Sequence, residues 1–151
     1  MSADGRFVLF NGNHANLVPG DTNDINDCFV HDRQTSTTER VNVGTRGEEA
    51  ESNIGCYGAD LSGDGRFVAF TSPAGNLVPG DTNGFADVFV RDRTAGTTTR
   101  VSVTTDGSQA AAYNDFGFGS NPSISADGRY VVFPSFSNDF VVFTPRVEPV
   151  F

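Results

Sequence analysis

The sequence predicts an all-β chain of four-stranded antiparallel sheets stacked as the blades of a β-propeller, with about two and a half to three blades in 151 residues. Three observations carry that expectation. The chain repeats itself: residues 4–43 overlie residues 64–103 without a gap, and 24 of the 40 positions are identical. Identity at that level marks a supersecondary unit stacked on copies of itself. Each unit holds apolar runs behind Asp-Gly and Asp-Thr-Asn turns, with no helical period. The central runs are apolar on both faces, Phe67 and Ala69 on one, Val68 and Phe70 on the other, followed by Val88, Val90 and Phe89. A sheet with one wet face alternates, so these strands are expected to be covered on both sides. A β-sandwich is the competing architecture, and it leaves so faithful a repeat unexplained.

The chain reads as one propeller segment, with blade 1 over about 1–46, blade 2 over about 57–106 and a partial blade 3 over about 121–151. A short strand, "ADLS" or "PSIS", opens a blade, and blade 1 lacks most of it. The second strand follows an Asp-Gly turn as "RFVLF", "RFVAF" or "RYVVF". The third, "DCFVHD" or "DVFVRD", follows the acidic turn. The fourth, "TTTRVSV" in blade 2, places Val101 and Val103 on one face and Arg100 and Ser102 on the other. Blade 3 loses the "NLVPGDTN" segment and runs from "SND" into "FVVFTPRVEPVF". The connector at 107–122 carries Tyr113, Phe116 and Phe118, suited to packing between blades or to edging a binding surface.

Composition narrows the functions. Ten Lys and Arg against 19 Asp and Glu give a net charge of −9, which opposes nucleic acid or an anionic membrane as partner. No apolar run approaches the roughly 18 residues of a membrane helix. The opening "MSADGRF" shows no signal peptide, and the compartment stays open. Cys28 stands where blade 2 has Val88 and reads as a small buried hydrophobe, with a Cys28–Cys56 bridge as the alternative.

The acidic turn offers oxygen donors at alternate positions: Asp21, Asn23 and Asp27, with the Ile25 carbonyl, and again Asp81, Asn83 and Asp87, with that of Phe85. Such a set suits a structural calcium ion, which takes six to eight oxygens at about 2.3–2.6 Å. Plain turn chemistry is the other reading, with Asp87 capping its strand or pairing with Arg91 or Arg93. The Asp-Gly-Arg triplets at Arg6, Arg66 and Arg129 recur in each blade and read as scaffold, with arginine paired or stacked. His14 and His31 have no counterparts in the repeat and are expected on the surface. No nucleophile elbow, phosphate loop or zinc spacing occurs, so no catalytic residue is assigned.

The "S-x-S-x-D-G-R-x-V-x-F" pattern, followed by "NLVPGDTNG..DVFVRDR..GTT.RVSV", resembles the TolB-like, WD-repeat-related propeller repeats of bacteria. The resemblance implies a four-stranded blade whose first strand lines a central channel. It also implies a non-enzymatic scaffold that binds a protein or peptide in that channel or on its loop face, in the periplasm or outside the cell. A carbohydrate-binding propeller with aromatic pockets between blades is the alternative. Propellers usually close with four to eight blades. A bare blade face of about 600 Å² is worth covering, so self-association is expected, most simply a dimer closing a six-bladed ring, with residues 140–151 free to complete a partner's blade.

Overall fold

The computed structural model describes residues 1–110, 121–135 and 140. Tyr113, Phe116, Phe118 and most of the tail expected to complete a partner's blade lie outside them. The described elements are strands only: β1 (Phe7–Gly12), β2 (Asp27–Asp32), β3 (Thr37–Arg40), β4 (Ala59–Leu61), β5 (Phe67–Ser72), β6 (Asp87–Asp92), β7 (Thr97–Arg100), β8 (Ser123–Ile124) and β9 (Val131–Val132). They form three separate antiparallel sheets in the orders β1-β2-β3, β4-β5-β6-β7 and β8-β9. The three sheets follow one another along the chain.

The two larger sheets keep one register. Phe10 faces Phe29 across β1 and β2, Phe70 faces Phe89 across β5 and β6, and the rings stack at 5.6 and 5.5 Å. Phe29, Val68, Ala69, Phe70 and Phe89 are fully buried, so the central strands are covered on both faces as their composition requires. Cys28, Val30 and Val41 of blade 1 and Leu61, Val68, Phe70 and Phe89 of blade 2 belong to one core. That shared core holds the two blades together by burial.

Ser102, which alternation sets on the face opposite Val101 and Val103, is buried, and so is Asn42 at the same place in blade 1. Asn42 donates to Asp27 at 2.5 Å and accepts from the Cys28 amide at 2.8 Å. Ser102 does the same for Asp87 at 2.5 Å and the Val88 amide at 3.0 Å. A buried carboxylate needs donors, and this position supplies one in each blade.

The cysteines are also corrected. Cys28 is not merely a small hydrophobe: it is bridged to Cys56, with Cα atoms 5.7 Å apart. Asn26 sets the pairing, since its carbonyl accepts from the Cys56 amide and its side chain donates to the Cys56 carbonyl, both at 3.0 Å. The bridge closes a 28-residue separation and ties blade 1 to the approach to β4. Loop-closure entropy sets its worth at about 3.5 kcal/mol. Reduction, or Cys28→Val with Cys56→Ala, is expected to lower the unfolding free energy by about that amount. A denaturant midpoint unmoved by reductant contradicts this.

Candidate functional site

Each of β1, β5 and β9 is entered through a thrice-repeated Ser-x-Asp-Gly-Arg turn. The hydroxyls of Ser2, Ser62 and Ser125 donate to Asp4, Asp64 and Asp127 at 2.6 Å. The same hydroxyls accept from the amides of Phe7, Phe67 and Tyr130 at 2.9, 2.9 and 3.0 Å. The glycine bends the chain at a positive φ of 74° in Gly5 and Gly65, a conformation a side chain would strain.

The arginine that follows is both paired and stacked. Arg6 grips Asp32 with two bonds of 2.9 and 2.7 Å, and Arg66 grips Asp92 at 3.0 and 2.7 Å. Arg6, Arg66 and Arg129 lie beside the rings of Phe7, Phe67 and Tyr130 at 4.7, 4.7 and 5.5 Å. In blades 1 and 2 the triplet fastens the start of one strand to the end of the next.

The Arg66 guanidinium holds the Asp92 carboxyl down at about 2, and bonding to Arg6 holds the Asp32 carboxyl well below the usual carboxylate range. A carboxylate depressed in the fold stabilises it fully above its unfolded value of about 3.9. That contribution fades as pH falls from about 4 towards 2. Arg66→Gln is expected to flatten this acid limb, seen as a smaller change of denaturant midpoint between pH 5 and pH 3, since removing the cation removes the cause. An unchanged limb contradicts the assignment.

The acidic turns converge as their spacing demands, and arginine stands at the focus. Arg40 Nη1 lies 3.0 Å from Asp21, 3.1 Å from Asp27 and 2.6 Å from Glu49. Asn23 accepts from the Ile25 amide at 3.3 Å and Asn83 from the Phe85 amide at 3.0 Å, which are Asx turns. In blade 2, Arg100 lies 3.5 and 3.8 Å from Asp81 and Asp87. There Gln109 replaces Glu49 and donates to both carboxylates at 2.8 and 3.0 Å. Asp87 thus meets Arg100 rather than Arg91 or Arg93. Burial raises the Asp21 and Asp81 carboxyls above their ordinary value.

A calcium ion would have to displace the Arg40 guanidinium in blade 1 and the Gln109 amide in blade 2, and the oxygens would have to close in to about 2.4 Å. As folded, Arg40 takes up the Asp21 and Asp27 carboxylates, Gln109 takes up those of Asp81 and Asp87, and Asn23 and Asn83 accept from the amides of Ile25 and Phe85. Melting curves in excess calcium and in chelator are expected to coincide. A fall in melting temperature on chelation contradicts this.

Sequence reasoning missed Arg40 and Arg100, Glu49 and Gln109, and Asn42 and Ser102. The signal was present in the "TT-x-R" that makes up both β3 and β7. His31 is half-buried against Thr38 at 3.0 Å, and His14 is exposed. Around the blade 1 to blade 2 joint, Phe7, Glu39, Asp64, Gly65, Arg66 and Arg93 line a shallow recess of about 180 Å³.

No family model matches the chain, and no curated protein matches it. Among solved structures the chain is similar to TolB from Acinetobacter baumannii, at 18% identity and a TM-score of 0.42. The match covers 87% of this chain and 35% of that one, so the chain spans about a third of the TolB length. The architecture therefore rests on its own registers and contacts. Among the described residues no helix is long and apolar enough to cross a membrane.

Proposed function

We propose that the chain is a non-enzymatic propeller scaffold that binds a protein or peptide partner and completes its ring with further copies of itself. The outer edge of β1 carries the reading. In blade 2 the equivalent edge, on β5, is covered by β4, which sets Ala59 opposite Phe70, Asp60 opposite Ala69 and Leu61 opposite Val68. In blade 1 the described residues pair β1 with β2 alone, and β1 is half-buried where β5 is largely buried. An extended segment laid on that edge gains main-chain hydrogen bonds and covers Val8, Leu9 and Phe10. A sugar has no row of amides and carbonyls to offer such an edge.

A labelled peptide with the sequence of residues 57–63, compared with a scrambled one, is expected to bind saturably and to slow hydrogen exchange in β1. Absent peptide binding together with glycan-array hits overturns this in favour of a lectin. The Cys28–Cys56 bridge favours an oxidising compartment such as the periplasm or the cell exterior. Structural calcium enters this reading only if the ion displaces Arg40 and Gln109.

A further inference from the structure

We propose that the Gly5 turn of blade 1 is a socket for Tyr130 of a second copy. Copies would then join head to tail through the joint that links the blades within one chain. The inference rests on the self-association in the reading above and says where it occurs.

Inside the chain this joint is made twice. The Phe7 ring of blade 1 lies so close over Gly65 of blade 2 that a Cβ there would strike it. The Phe67 ring of blade 2 lies over Gly128 of blade 3 in the same way. A backbone bond runs beside each ring, from Ala3 N to the Gly63 carbonyl at 2.8 Å and from Gly63 N to the Ala126 carbonyl at 2.9 Å. At the first joint Arg93 clamps the ring: its guanidinium is 4.4 Å from the Phe7 centroid, bonds the Gly65 carbonyl, and meets Glu39 across the joint at 2.5 Å.

Both halves of a third such joint stand at the two ends of the described stack. Gly5 has the same φ of 74° as Gly65, and Arg33 Nη1 donates to the Gly5 carbonyl at 3.0 Å, the pose Arg93 takes on Gly65. Over Gly5, however, a Cβ would meet only Arg33 Nη1 and Met1 Sδ, each at 3.9 Å. The turn and its clamp are built, and no ring of the described residues lies over them. At the far end, Tyr130 follows Arg129 as Phe7 follows Arg6, and it is 64% exposed, with Val132 70% exposed beside it. Ala126 N and the Ala3 carbonyl are the matching donor and acceptor. The two internal joints show what covers each half: the opposite half of the same repeat, which a second copy carries. Because the two halves differ, the contact is heterologous and propagates until the rotation closes.

The test is the mass of the 151-residue chain in solution by sedimentation, with folding checked by circular dichroism. The chain is expected to self-associate. Tyr130→Asp should weaken association roughly tenfold or more through loss of the ring contact and the cation–π contact, while Tyr130→Phe should keep it. Independently, an Ala3→Cys chain mixed with an Ala126→Cys chain is expected to give a 3–126 interchain disulfide, identified by non-reducing peptide mapping. A chain monomeric at every concentration overturns this joint and the self-association together. An oligomer that survives Tyr130→Asp and forms no 3–126 link overturns the joint alone.

Discussion

Replacing Arg40 with methionine is expected to lower the unfolding free energy by about 4 kcal/mol, the range found when one partner of a buried ion pair is removed. For a chain of this size that is a fall of roughly 8–16 °C in melting temperature. The reason is what remains. The Arg40 side chain is only 8% exposed, and it holds Asp21 and Asp27, which are 2% and 0% exposed, together with Glu49 at 25%. Without the guanidinium, two carboxylates with almost no access to water face each other near a third. They must then protonate, drag water in or open the turn. Arg40→Met combined with Asp21→Asn and Asp27→Asn is expected to recover much of the loss, because the uncompensated charge goes with it. A single variant that melts within a degree or two of the parent would show that the focus is wetter than described.

Gly65→Val is expected to cost about as much, by a different route. The left-handed backbone at φ 74° penalises any Cβ by roughly 1–2 kcal/mol. Here the Cβ would also run into the Phe7 ring, and overpacking of that kind costs about 1–3 kcal/mol more. The change acts between blades rather than within one, so Phe7→Ala should separate the two terms. In the Phe7→Ala background the collision vanishes and only the backbone strain remains, a smaller decrement measured by denaturant titration. If Gly65→Val costs the same with and without Phe7, the ring does not lie where it is described.

How much of this was legible follows from where each signal lies. The blades could be read because their central strands are apolar on both faces and the unit recurs 60 residues on, so period and burial point the same way. Phe70 and Phe89 declared themselves by type alone. The acidic turn was also visible, and its donors do converge. What fills the focus was hidden because Arg40 comes 13 residues after Asp27, at the end of another strand, and only the β2–β3 register brings them together. Asn42 and Ser102 gave no sign of their role, because alternation says which face a residue takes and not that a buried carboxylate waits there. Cys56 falls between the aligned repeats, so the comparison of copies said nothing of its neighbour.

The bridge has a consequence for how the chain comes apart. It joins two successive repeats instead of closing one, and Val88 shows that the next pair is not tied in the same way. A protease that nicks the backbone between the two half-cystines, for instance at the exposed Arg46, leaves both fragments travelling as a single species until thiol is added.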